Sequence, residues 1–403
     1  MNQSIGIVPG QGKKIIDNQV VTELQPSMNP LLILSGEFLL SFPIGLALAG
    51  FGLGGIAWIF AGIVAGVLVL QACRIFYQVQ SHPNRTARKV GMALVGLTVG
   101  VANAPDHLGN MTGYIPILAL MTCFLLLCNV GVGYLYSRLT KTNVITALLA
   151  TVPGGVGVMS AIAADYNKNV ALVALVQALR VTSVVFLIPL IVKTSVGYSW
   201  NQGLQNLGRN LISFEPGQLG SLTLVLIVTV IVIYLVKRWK IPAGEFVVTL
   251  FLGIAINPLL TTLPFSHSWH FTPPLLVNVI GQLLLGITIG EHWGDKPSFG
   301  KKSLAYALLP VAMTLGVGAI AATLAMSLTG WDWLTCLLVT APGGSAEMIL
   351  VALSLNHNVE IVTTGHVIRL LAINSSIPLW LFLFRRLDDQ STDSVLQQGT
   401  GNS

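Results

Sequence analysis

Apolar runs of about the length of a membrane-crossing helix, separated by short polar stretches, fill most of this chain. In the first half they cover 31–50, 52–76, 88–102, 113–137, 142–165 and 169–192. In the second half they cover 219–236, 243–263, 274–291, 303–329, 333–355 and 359–384. A bilayer-spanning helix needs about 20 apolar residues, with a range of about 17–25. Run 88–102 is short for that, and runs 142–165 and 333–355 are interrupted by Pro153 and Pro342. The pattern predicts an all-α polytopic membrane protein. Its polar stretches divide it into an N-terminal tail (1–29), a first membrane repeat (30–192), a linker (193–218), a second membrane repeat (219–386) and a C-terminal tail (387–403) expected to be disordered.

The two halves match in register. Thr151-Val152-Pro153-Gly154-Gly155 returns as Thr340-Ala341-Pro342-Gly343-Gly344, and 340 less 151 is a shift of 189. The same shift aligns Met159 with Met348, Ala163 with Ala352, Asn167 with Asn356, Arg180 with Arg369 and Pro189 with Pro378. Gly96-Leu97-Thr98-Val99-Gly100 likewise resembles Gly286-Ile287-Thr288-Ile289-Gly290. One register held this long is an internal duplication.

At the centre of each copy the helix must break. Proline has no N–H and fixes φ, and two glycines remove the steric reason to stay helical. Unpaired backbone at membrane depth is tolerated only where it is buried in protein or lines a wet cavity. Matching breaks in two halves therefore point to a transporter-type binding site, although ordinary kinks that shape packing would leave the same trace. The half-helices that start after Gly155 and Gly344 aim free N–H groups and a positive dipole end inward.

Charge changes the picture in two ways. Only 9% of residues are charged, against about 25% in a soluble domain, and the net charge of +6 sits in short loops, where it reports orientation. If each broken segment is a re-entrant hairpin, each half has five spans and the second half is upside down. With the N-terminus inside, 17 basic residues then face the cytoplasm, and only Lys193 and Arg209 face outward. Inverted repeats of five helices plus one re-entrant segment are thus expected, with the short 88–102 run as the rival non-crossing segment.

Second, a few charges lie where charge is costly. Arg180 and Arg369 occupy the same place in each repeat, with Gln177 and His366 three residues earlier on the same helix face. Each arginine could cap carbonyls at its break, pair with a carboxylate or touch a solute. Glu347 follows the second break where the first has Val158, and Ser345 stands opposite Val156, so any H⁺ or Na⁺ coupling falls on Glu347. The candidate solute site comprises Thr151, Pro153, Gly154, Gly155, Gln177, Arg180, Thr340, Pro342, Gly343, Gly344, Ser345, His366 and Arg369. Two helix ends and two arginines favour an anionic group.

Other groups carry less. Glu37 and Glu245 read as solvated at span ends, and Asp106, Asp165, Asp332 and Glu360 also fall near span ends. Trp200, Trp269, Trp293, Trp331 and Trp333 fit an interfacial aromatic belt. Cys73, Cys123, Cys128 and Cys336 show no metal spacing. The histidines, His267, His270 and His292 among them, are scattered. No metal, no cofactor and no nucleic-acid module is expected.

The two Thr-x-Pro-Gly-Gly segments, each followed by an apolar helix, Asn-x-Asn-Val and an arginine in the next span, resemble the AbrB-type bacterial inner-membrane family with its tandem duplication. The resemblance covers about residues 30–385. Ile241-Pro242-Ala243-Gly244 fits the second-repeat pattern, whereas Gly55-Ile56-Ala57-Trp58 in the first lacks the proline. The resemblance maps the family motif onto Pro153, Gly154, Gly155, Arg180, Pro342, Gly343, Gly344 and Arg369. It implies an inner-membrane location and a link to regulation of gene expression, which would be indirect here. The family has also been labelled an ammonia monooxygenase, chemistry that needs clustered metal ligands.

The function expected is secondary transport of a small, anionic solute across the bacterial cytoplasmic membrane, coupled to H⁺ or Na⁺, with both termini in the cytoplasm. The partners are then the lipid bilayer, the small-molecule solute and the coupling ion, with a homodimer open to the chain. A membrane sensor acting through another protein is the alternative; an enzyme is not expected.

Overall fold

A computed structural model describes residues 13–16, 19–22, 29–77, 83–103, 112–195, 216–237, 244–262, 271–294, 301–355 and 357–400. The first half contains α1 (Pro30–Leu48), α2 (Ala57–Tyr77), α3 (Arg85–Ala102), α4 (Ile115–Thr140), α5 (Val144–Thr151), α6 (Val156–Asp165) and α7 (Val170–Ser195). The second contains α8 (Pro216–Lys237), α9 (Gly244–Thr262), α10 (Leu275–Gly294), α11 (Lys301–Thr329), α12 (Trp333–Thr340), α13 (Ser345–Ser354) and α14 (Val359–Thr400). Six helices among the described residues are long and apolar enough to cross a membrane: Pro30–Phe51, Ala57–Tyr77, Thr112–Thr140, Val170–Ile191, Leu275–Trp293 and Leu304–Thr329. The chain is thus an all-α polytopic membrane protein. Arg85, Arg88 and Lys89 near its start keep the 18-residue α3 out of that set.

Two features lie outside the expected pattern. In the N-terminal tail, Lys13–Ile16 and Gln19–Thr22 pair as antiparallel strands with Lys13 opposite Thr22. Their isoleucines and valines favour extended backbone. At the other end, α14 runs on to Thr400 through the stretch expected to be disordered. No proline or glycine interrupts it between Leu379 and Gln398. Most of the linker, Asp106, His267, His270, Trp200, Trp269 and Asn356 lie outside the described residues.

Helices α2 and α10 form one extensive pairing, and α3 and α9 form another. Small residues make both close. Gly62 and Gly66 face Gly286 and Gly290, and Gly100 faces Gly253, so that a Cβ on any of them would run into the backbone of the opposing helix. Gly62 meets residues 283–287 and Gly66 meets 287–291, so α2 and α10 run parallel. Gly96 meets 246–250 and Gly100 meets 250–253, so α3 and α9 also run parallel. Gly91 lies against Leu284 and Gly281 against Leu94 and Val95, which makes α3 and α10 antiparallel.

The largest apolar cluster joins Ile59 and Ile63 of α2, Val95 and Val99 of α3, Phe246 and Leu250 of α9, Leu285 of α10 and Met348–Ala352 of α13. The second broken segment therefore enters the heart of the bundle. Its two ends meet. Asp332 caps α12 through Thr335 N at 3.0 Å, accepts from Thr335 Oγ1 at 2.6 Å, and receives Asn358 Nδ2 at 3.2 Å and His357 Nε2 at 2.8 Å from beyond α13. The segment thus starts and finishes at the same end of the bundle. In the first half, Asn143 caps α5 through Thr146 N at 3.3 Å, and α5 and α6 share one apolar cluster with Val173, Val176 and Leu179 of α7.

Candidate functional site

The two Pro-Gly-Gly breaks face each other across one cavity of about 580 Å³. Pro153, Gly154, Gly155, Gly157 and Val158 line it from the first segment. Gly343, Gly344, Ser345, Ala346 and Glu347 line it from the second, and Arg180 and Arg369 from the helices behind. Neither Gly155 nor Gly344 has a side-chain cap at its half-helix. Gly155 sits at φ +82, a backbone state open to glycine, whereas Gly344 is at φ −70.

Both arginines are buried and both hold the carbonyls that the breaks set free. Arg180 donates to Thr151 O at 2.8 Å and to Gln177 Oε1 at 2.7 Å; Gln177 Nε2 in turn donates to Leu149 O and Val152 O, each at 2.9 Å. Arg369 donates to Ala341 O at 2.7 Å, to Gly343 O at 3.4 Å and to His366 Nδ1 at 2.6 Å. His366 Nε2 reaches Leu338 O at 2.9 Å. An arginine only donates and a carbonyl only accepts, so His366 is the neutral tautomer with its proton on Nε2. Leu149 and Leu338 are equivalent under the 189 shift, so glutamine and histidine do the same work. These bonds are the carbonyl-capping arrangement; no carboxylate pairs with either arginine among the described residues. Arg180 Nε remains buried without a hydrogen-bond partner.

The remaining expected residues divide. Ser345 and Glu347 line the cavity, and Glu347 stands with its carboxylate over Gly344 Cα. Thr151, Gln177, Thr340, Pro342 and His366 are not in its wall. Thr151 Oγ1 returns to Ala147 O and Leu148 O, and Thr340 Oγ1 to Cys336 O and to Gly318 O.

Sequence reasoning missed the third wall. Arg85, Arg88 and Lys89, at the start of α3, line the cavity with Phe246 and Glu245 of α9. Lys89 Nζ pairs with Glu245 at 3.2 Å, which corrects the reading of Glu245 as merely solvated. Arg85 and Arg88 have no carboxylate partner among the described residues. Five basic side chains thus surround the space against two carboxylates. A signal was present: basic residues in a helix's first turn oppose its dipole and need another reason to be there.

Glu37 is also corrected. It is fully buried in α1, at 0% exposure, with both carboxylate oxygens lacking a partner. Asp332, at the base of the second segment, lies outside the spans. Burial would raise its carboxyl, but hydrogen bonds from Thr335 and the His357 pairing outweigh this and hold it at about 2. Among the described residues no three His, Cys, Asp or Glu side chains come together as metal ligands.

A helical membrane protein with two broken segments around an internal basic cavity defines the class. Comparison with known families narrows it: the model for "Transition state regulatory protein AbrB" matches residues 58–385, and the chain belongs to that AbrB family. A Bacillus subtilis (strain 168) protein named YhjN is 24% identical over 369 residues, covering 87% of this chain and 94% of its own length. An Escherichia coli (strain K12) protein named "Putative regulator AbrB" is 24% identical over 297 residues, covering 72% of this chain and 80% of its own.

Proposed function

We propose that the protein is a secondary transporter of a small anionic solute, coupled to H⁺ or Na⁺ and acting in the bacterial cytoplasmic membrane with both termini inside. The observation that carries this reading is the cavity of about 580 Å³ lined by both breaks, by Arg180 and Arg369, and by Arg85 and Arg88, which have no carboxylate partner among the described residues. Free N–H groups at two half-helix starts and an excess of positive side chains suit an anion. Arg180 and Arg369 play a double part: each closes off stray carbonyls and presents its remaining surface to the solute.

Inverted repeats support alternating access. Under the one-for-one matching of halves, α2 corresponds to α9 and α3 to α10. Helix α2 runs parallel to α10, and α10 antiparallel to α3, so α2 opposes α3. Helix α9 runs with α3 and therefore against its own counterpart α2. The hairpins then enter from opposite faces and meet at their tips, and the loop basic residues fall inside as the charge bias requires. Uptake by purified protein in proteoliposomes, across mono- and dicarboxylates and phosphate under imposed pH or Na⁺ gradients, tests the reading. Accumulation that follows a gradient and fails in Arg369→Ala is expected; no uptake of any anion by folded protein would overturn it.

The regulator names of the family model and of the E. coli relative favour a second reading, a membrane sensor that affects gene expression through another protein. Recovery of one fixed partner with the protein, together with absence of transport, would decide for it.

A further inference from the structure

We propose that Glu37 and Glu291 form a proton-binding carboxyl pair, a second site distinct from the cavity between the breaks. Along α1, Ile33, Glu37, Ser41 and Gly45 recur every fourth residue and make its one fully buried stripe. Glu37 is completely enclosed there and neither carboxylate oxygen finds a donor. Ser41, one turn on, turns its hydroxyl to Phe38 O at 2.8 Å instead. From α10, Glu291 is 2% exposed and receives Asn84 N at 2.8 Å; its backbone lies against Gly66 of α2, and Gly36, beside Glu37, lies against Val69 one turn along α2, so both carboxyl-bearing residues meet α2 at one level. From α2 the titratable neighbour is the buried Cys73, which shares an apolar cluster with Ile33 of α1.

An isolated carboxylate in such a place is neutralised rather than left charged, and two adjacent carboxylates do not both ionise. The ligand this chemistry takes is a proton, held on Glu37. A bound metal cation would need a fuller set of oxygens than two carboxylates. The pair is mechanically tied to the breaks through α10. On the same stretch of α10, Thr288 and His292 line a small void of about 40 Å³ together with Gly155, Gly344 and Glu347. Proton gain or loss at Glu37 would then act on the helix that links both sites. The proposal stands whether or not the cavity carries a solute.

Infrared difference spectra of the full chain in lipid, recorded against pH without added solute, test it. A protonated-carboxyl band present at neutral pH should be lost in Glu37→Gln and kept in Glu347→Gln. Should Glu37→Gln fail to fold, Glu37→Asp should instead shift the band. A wild-type spectrum with no such band, a band unchanged by Glu37 substitution, or a band removed by Na⁺ alone would overturn the proposal.

Discussion

The two broken segments share a frame and differ in where they are held. Residues 346–352 of α13 are all buried at the centre of the bundle, whereas α6 buries only Val156, Met159 and Ala163. The second segment is clasped at its base by the bonds from Thr335, His357 and Asn358 to Asp332, and it alone carries a carboxylate, Glu347, at its tip. The first has Gly155 in a left-handed state and Val158 in place of that carboxylate. Capping of the carbonyls is common to both. Duplication has thus preserved the means of breaking a helix safely while the chemistry at the tips has diverged. The first hairpin is the more loosely held half of the site, and the second is its anchored, ionisable half.

The largest effect should come from removing that shared capping. Arg369→Met frees the carbonyls of Ala341 and Gly343 and leaves His366 Nδ1 without its donor; each buried, unpaired group costs about 1–3 kcal/mol. A fall in thermal midpoint in detergent is expected, larger than for Arg180→Met because α13 is buried in the core. Equal falls would erase the distinction between the hairpins.

Next comes the backbone. Gly155→Ala forces a side chain to φ +82, at about 1–2 kcal/mol, while Gly344→Ala has an ordinary φ and meets the Glu347 carboxylate first. Glu347→Ala should therefore rescue Gly344→Ala and leave Gly155→Ala unrescued, as denaturation curves of the double variants would show.

Acid should loosen the second hairpin at its base. Asp332 is held below its ordinary value, so its contribution is complete above about pH 4 and is lost as pH falls toward 2. Asp332→Asn should abolish that acid dependence in hydrogen exchange around residues 357–360. The smallest effect belongs to His366→Gln, which recreates the first half's Gln177 on an equivalent carbonyl and should cost less than about 1 kcal/mol.

Much of this was legible in sequence because breaks and duplication are one-dimensional signals. The glycines of the two Pro-Gly-Gly breaks located both cavity tips, and the 189 shift identified Arg180 and Arg369 together. What hydropathy cannot supply is which face of a span meets another helix. Glu37 therefore read as a solvated residue near a helix end, although its face is sealed by α2 and α10. Arg85 and Arg88 counted only as orientation markers, because nothing in the order of the chain brings α3 to the breaks. Gln177 and His366 were assigned to the solute since they share a face with the arginines, yet one turn along the helix aims them at the carbonyls instead.

The claim on which most depends is that both hairpin tips open into one water-filled space. In a cysteine-free background, Val158→Cys and Ser345→Cys can be exposed singly to a membrane-impermeant thiol reagent, from each side of oriented vesicles. Under the proposed orientation Arg85 and Arg88 lie on the cytoplasmic side, so both cysteines should react from that side. Tips that react with neither side, or each only from the face where its own hairpin base lies, would contradict it.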